Sequence, residues 1–254
     1  MAESEQRCSY PLNLLVSTSV GMVAFLMEKS NASGGTHQKA SPLALLFLLW
    51  IFLLFVTKGG EDEMSSNRTL FIIEVAIFTA LAMLLDILPF LKFKVWPNGG
   101  SISFAMIPVF IVAFRWGIKG GLSSGLLWGI LQLAFGAYVL TPLQGFIEYG
   151  FAFTVLGLAG VFSKPLHRAL KEKKYTLGLV YIMSGIFLGT LLRFIAHFYA
   201  GIVFWGEATP EGTAVWYYSL TYNATYMFPS FVLCSAVVFF LFRTQPRALL
   251  KTVS

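Results

Sequence analysis

Charge is the scarcest ingredient of this sequence. Asp, Glu, Lys and Arg make up 12% of its 254 residues, about half the share usual in a soluble globular chain. That scarcity excludes an ordinary solvated surface. Acid is rarer than base, 12 residues against 18. The net charge of +6 is not a nucleic-acid footprint, because the bases gather in particular loops, as a membrane topology signal places them. Cysteine is nearly absent. Cys8 and Cys234 are far apart and Cys234 lies in an apolar run, so there is no disulfide framework and no metal-type spacing. No GxxxxGKS or GxxxxGKT motif occurs. GGTHQKA at 34–40 and GIKGGLSSG at 117–125 lack the terminal Lys–Ser/Thr pair after the required glycine. The chain has no P-loop of its own, and any ATP-driven step needs a partner's ATPase.

What is present in excess is apolar. Hydrophobic residues are 57% of the chain and mean hydropathy is +0.74. Long apolar runs recur at about 69–88, 102–118, 120–139, 146–163, 176–200 and 217–242, each near the length that crosses a bilayer. The expected fold is an all-α membrane protein with a six-helix transmembrane bundle. Two weaker segments, about 12–27 and 42–57, add one or two short N-terminal helices. The intervening EKSNASGGTHQKAS and the following KGGEDE fit poorly with the rest. Residues 1–63 therefore read as an extra hairpin or an over-extended gene start, and residues 64–254 as the membrane domain. A cleaved signal peptide fits less well, since no basic n-region precedes the first segment.

The basic residues orient the spans. Arg68 precedes the first. Arg115 and Lys119 mark the second connection, Lys164, Arg168, Lys171, Lys173 and Lys174 the fourth, and Arg243, Arg247 and Lys251 the tail. The alternate loops carry Lys92 and Lys94, or are acidic through Glu207 and Glu211. The positive-inside rule places the C-terminus in the cytoplasm.

This topology sorts the polar residues by depth. The stretch LLRFIAHFYAGIVFW (191–205) is apolar enough for a membrane, yet it holds Arg193 and His197 one helical turn apart and ends in Trp205. Ionisable groups inside a span are functional candidates by default, although either could be a satisfied interhelical contact. Trp128 falls near mid-membrane. Tyr138, Glu148, Tyr149, Trp205, Trp216, Tyr218, Tyr222 and Asn223 fall toward the outside. An interfacial aromatic belt would explain Trp216 and Tyr222 equally well, but Trp128 is too deep for one. The convergence suits a small, planar ligand, cationic or neutral: aromatic faces attract cations and stack on heterocycles, and Glu148 can accept from an amine or balance a positive charge. Tyr218 and Asn223, about 140° apart on an ideal helix, face one ligand only if the helix starts near them.

These residues carry a family resemblance. EVAIFTALA at 74–82, IPVFIVAFRWGIKGGLSSGLLWGI at 107–130, GFIEYGFA at 145–152, FIAHFYAGIVFW at 194–205 and YSLTYNA at 218–224 resemble the thiamine-specific substrate-binding component of energy-coupling factor (ECF) transporters. The resemblance covers residues 68–245. It implies a six-helix protein of the bacterial cell membrane that takes thiamine from outside, needs no cofactor, and docks on a transmembrane coupling protein with two ATPases. Trp128, Tyr138, Glu148, Tyr149, His197, Trp205, Tyr218 and Asn223 match the family's ligand-contact positions, with the aminopyrimidine on Trp205 and Glu148. Arg193 stands where some relatives have lysine, a change of geometry at constant charge. Gly99 and Ser103 stand where some relatives have tryptophan and glutamate, which leaves Trp96 as the lid candidate. Ala76 and Ala80 form an AxxxA that reads either as an internal contact or, with the resemblance, as the docking surface for the coupling protein. Two other readings remain. One is a sibling component for another vitamin or a thiamine precursor. The other is an intramembrane serine protease using Ser123 of GLSSG and His197, against which the two residues' different depths argue.

Overall fold

The structure is a computed structural model that describes residues 66–88, 92–96, 99–135 and 137–246. The segment 1–63, with the two short apolar stretches expected there, lies outside the described residues, as do Arg247 and Lys251. The elements are α1 (Ser66–Ile87), β1 (Lys92–Trp96), β2 (Gly99–Ser103), α2 (Met106–Ala134), α3 (Pro142–Lys171), α4 (Tyr175–Phe204) and α5 (Val215–Thr244). All five helices are long and apolar enough to cross a membrane. A helix satisfies its own backbone groups, which lipid cannot do.

The helical membrane class holds, with two refinements. The second and third expected spans are the two arms of α2. Gly117 interrupts it at φ 74°, ψ −162°, a conformation that only glycine reaches without strain. The chain folds back there. A Cβ on Gly121 would lie 2.7 Å from that of Ala113, whereas residues eight apart in a straight helix are separated by about 12 Å. The second refinement is β1–β2, an antiparallel hairpin pairing Lys92 with Ser103 and Trp96 with Gly99. Residues 102 and 103 are thus strand rather than membrane helix. The alternation in KFKVW was too short to outweigh the apolar run that follows. Lys164, Arg168 and Lys171 likewise sit on α3 and not in a loop.

The first arm of α2 is the core. Ala105–Phe114 are all buried, and Phe110 and Phe114 press against Gly189 and Gly185 of α4. The second arm carries Gly117, Gly121, Gly125 and Gly129, four residues apart. They face Gly160, Gly157, Phe153 and Tyr149 of α3 in antiparallel order. A side chain at Gly121, Gly125 or Gly129 would strike the opposing backbone. Small residues at helical spacing supply close approach, the main source of helix association where lipid equalises apolar contacts. GLSSG belongs to this seam, inside a helix. A serine nucleophile elbow needs a strand-to-helix turn instead.

Polar rungs fix α1 to α2. Glu74 takes a two-point ion pair from Arg115, 2.5 and 2.7 Å, and a bond from Trp116 Nε1. The Thr79 and Ser124 hydroxyls lie 2.9 Å apart. Asp86 accepts from Gln132 and pairs with Lys92 of β1 at 3.1 Å. Ala76 and Ala80 are exposed on the other side of α1, so neither is buried among the described residues.

Gly125→Leu should open the α2–α3 seam and lower stability by at least about 3 kcal/mol, the upper range for overpacking. Gly206→Ala, where the new carbon meets only Val215 at 3.6 Å, should change it little. Thermal unfolding in detergent measures both.

Candidate functional site

One end of the bundle collects the residues singled out by sequence. It is built from the end of α2, the start of α3, the end of α4, the start of α5 and the β-hairpin.

The start of α3 is unusual. Thr141 caps it, accepting from the Gln144 N–H at 3.1 Å, with Pro142 at the first helical position. The helix then widens into a π-helical stretch at Phe146–Phe151. Such widenings are rare and recur at functional sites. This one carries Glu148 and Tyr149, and its Tyr149 carbonyl lies directly against Gly129. A side chain at 129 would prevent the bulge.

Glu148 has a donor on each oxygen. Trp205 Nε1 donates to Oε1 at 3.1 Å, and Gln144 Nε2 donates to Oε2. Gln144 is fully buried and oriented by its own carbonyl, which accepts from the Leu140 N–H at 3.0 Å. Its amide nitrogen therefore faces Glu148, and the carboxylate is held as an acceptor. The Tyr138 ring stands 5.7 Å from that of Trp205. Tyr138 is past the end of α2, in the connection to α3, because Phe135 already caps the helix.

Arg193 occupies a second station. Its guanidinium lies 4.1 Å over the Phe153 ring and 5.4 Å from that of Trp128, and these two rings meet edge-on at 4.5 Å. Aromatic faces are a reasonable substitute for water around a buried cation. Arg193 Nε donates to His197 Nε2 at 3.3 Å, which puts the imidazole proton on Nδ1. Trp128 is only 2% exposed, and among the described residues its Nε1 and the buried Arg193 Nη1 have no hydrogen-bond partner. Two orphaned donors in one place mark a spot for an acceptor.

The third wall is aromatic. Trp96 of β1 stacks on Tyr222 at 5.2 Å and donates to Thr225 at 2.8 Å. Tyr218 meets Trp96 at 6.4 Å and Tyr222 at 6.0 Å. The hairpin is tied to α5 at this point, with Gly100 against the Tyr226 ring. Asn223 has its amide engaged within the chain: Nδ2 donates to the Ser219 carbonyl at 2.9 Å and Oδ1 accepts from Tyr226 at 2.6 Å. It shapes the wall by holding Tyr226.

These stations share one region. Tyr149, next to Glu148 in the chain, stacks on the Phe153 ring at 6.0 Å, the same ring that Arg193 covers, although the two charges form no ion pair with each other. The arrangement offers a held carboxylate, a caged guanidinium and aromatic walls between them. Gln144, Phe153 and Tyr226 did not stand out in sequence. Gln144 sits four residues before Glu148 and Tyr226 three after Asn223, spacings that bring side chains together on a helix. Phe153 had no such signal within its apolar run. Trp216, by contrast, is exposed and touches only Tyr217 among the described rings, as a belt residue would.

Fold and site together define a polytopic helical membrane protein with a convergent polar and aromatic site at one end. The chain belongs to the family described as thiamine transporter protein, whose pattern matches residues 72–250. It is 45% identical over 185 residues to the thiamine transporter ThiT of Bacillus subtilis (strain 168), covering 72% of this chain and 96% of that one. It is 36% identical over 180 residues to ThiT of Lacticaseibacillus paracasei, covering 69% and 88%. The solved structure of ThiT from Listeria monocytogenes superposes with a TM-score of 0.68 at 30% identity, over 73% of this chain and all of that one.

Gln144→Leu should destabilise the fold by about 1–3 kcal/mol, since it strands the Leu140 N–H and one Glu148 oxygen. Gln144→Glu, which keeps the acceptor for Leu140 but puts a second carboxylate beside the first, should do the same or worse. Thermal unfolding of the two variants checks this.

Proposed function

We propose that this chain binds thiamine from the extracellular side and delivers it to an ATP-driven ECF module for uptake. Family membership supports the ligand class, because the relatives carry the name thiamine transporter. The observation that carries the reading is Glu148, held by Trp205 and Gln144 beside the Tyr138 and Trp205 rings. A doubly held carboxylate next to flat aromatic faces suits an aminopyrimidine, which stacks and donates from its exocyclic amine.

The opposite end of the site gives the ligand a direction. The orphaned Arg193 and Trp128 donors suit an acceptor such as a hydroxyl oxygen and disfavour a second amine. His197, Tyr149, Tyr218 and the aromatic wall then surround the thiazolium between them. Trp96 and its hairpin close the site by docking on α5. The C-terminus is cytoplasmic under the positive-inside rule, so the site opens outward. Ala76 and Ala80, exposed on α1, form the docking surface for the coupling protein, and two ATPases supply the energy this chain has no P-loop to harvest.

Thiamine should quench the tryptophan fluorescence of the purified protein, because Trp205 and Trp128 line the proposed site. Glu148→Gln should weaken binding by about 1–3 kcal/mol, roughly five- to 150-fold. Ser123→Ala should leave it intact. A flat response to thiamine together with a response to riboflavin or biotin would transfer the reading to a sibling vitamin.

A further inference from the structure

The opposite end of the bundle holds a site that thiamine capture leaves unused. A groove of about 490 Å³ runs between the Gly117 turn of α2 and α3, lined by Ile118, Lys119, Val161, Lys164 and His167 among others. It adjoins a hollow of about 390 Å³ lined by Lys164, His167, Arg168, Lys171 and Glu172. Four cations thus line two hollows that share Lys164 and His167.

The neighbouring acids are engaged elsewhere. Glu74 is taken by Arg115 at 2.5 Å, and Glu172 by Lys174 at 2.7 Å. Lys119, Lys164, Arg168 and Lys171 form no ion pair among the described residues. His167 lines both hollows, and among the described residues its buried Nε2 has no hydrogen-bond partner. The second arm of α2 starts at this groove, so the positive end of its dipole reinforces the cations. The chemistry fits a phosphate.

The flank of the groove identifies the source. Ile118 and Val161 are apolar and exposed, 40% and 50%, at the edge of spans whose outer surface is itself apolar. A free anion has no use for such a flank, whereas a phospholipid has acyl chains to lay along it. Basic pockets between helices at the membrane boundary bind anionic head groups. We propose that this groove binds an anionic phospholipid, its phosphate among Lys119, Lys164, Arg168, Lys171 and His167 and its chains over Ile118 and Val161.

Native mass spectrometry of the full chain in a neutral detergent tests this, with phosphatidylglycerol and phosphatidylcholine of identical chains and inorganic phosphate as the third probe. Phosphatidylglycerol should be retained about tenfold more strongly than phosphatidylcholine. The double variant Lys164→Gln, Lys171→Gln should lose that preference, as expected when two charges near the head group are removed. Inorganic phosphate at millimolar concentration should not displace the lipid. Equal retention of the two lipids by the unaltered protein would overturn the proposal, even if the double variant fails to fold. So would an unchanged preference in a folded double variant. Displacement by inorganic phosphate would make it a free-anion site. No lipid preference, combined with lost uptake in cells carrying the double variant, would assign the groove to a protein partner.

Discussion

The rest of the structure depends on how closely α2 can approach α3. Four glycines at one-turn intervals, Gly117 to Gly129, bring the second arm of α2 against the α3 backbone. In lipid this contact cannot come from hydrophobicity, since the tails are as apolar as leucine, so close packing has to supply it. The same seam sets the site. At its far end Gly129 leaves room for the Tyr149 carbonyl, and that space is what the π-helical stretch at Phe146–Phe151 needs. A π-turn shifts the side chains after it relative to a regular helix, so Glu148 and Tyr149 point where an α-helix would not send them. One turn earlier along the seam, the Phe153 backbone meets Gly125, and its ring forms the floor under Arg193. The glycines are therefore as much a part of the site as the residues that line it.

Electrostatics explains why the site is organised in stations. A carboxylate and a guanidinium within one membrane bundle would ordinarily neutralise each other, because an isolated charge there is expensive. Here Glu148 is satisfied by two neutral donors and Arg193 by two ring faces and an imidazole. Neither charge is cancelled. Removing both by a direct pair would fill the space between them and leave nothing for a polar ligand to recognise. Holding them apart preserves a dipolar site with a defined sense, and the unpartnered nitrogens of Trp128 and Arg193 show where its satisfaction is incomplete.

Much of this was legible in sequence because membrane spans are written in long runs. Twenty apolar residues are hard to misread, and each expected span from residue 69 on corresponds to a helix or an arm of one. Depth followed from the loops, which is why Glu148, Trp205 and Tyr138 could be grouped before any contact was visible, while Arg193 and His197 were paired by their one-turn spacing. What escaped was local geometry. The fold-back depends on a single dihedral pair at Gly117, and the sequence GIKGG is equally compatible with a bent helix. The β-hairpin has five residues per strand and little apolar alternation. A π-turn has no compositional signature at all. Asn223, a ligand-contact position by resemblance, bonds Ser219 and Tyr226 here, because an amide on a helix finds backbone and hydroxyl partners within one turn.

The attachment of α1 follows a different logic from the rest of the bundle. It is the least buried of the five helices, and it has no glycine seam. Three polar rungs at Glu74, Thr79 and Asp86 tie it to α2, spaced along its second half and more, and the Phe71 ring meets Trp116 edge-on at 5.2 Å. Polar rungs fix register and rotation without requiring close backbone approach. They therefore dictate which face of α1 turns outward: with Val75, Thr79 and Ala82 buried, Ala76 and Ala80 must face away. The lowest side-chain relief on the outside of α1 is thus a direct consequence of where its few polar residues lie. The last rung reaches further, since Asp86 also pairs with Lys92. Through that carboxylate the end of α1, the second arm of α2 and the hairpin bearing Trp96 are joined at a single point beside the site.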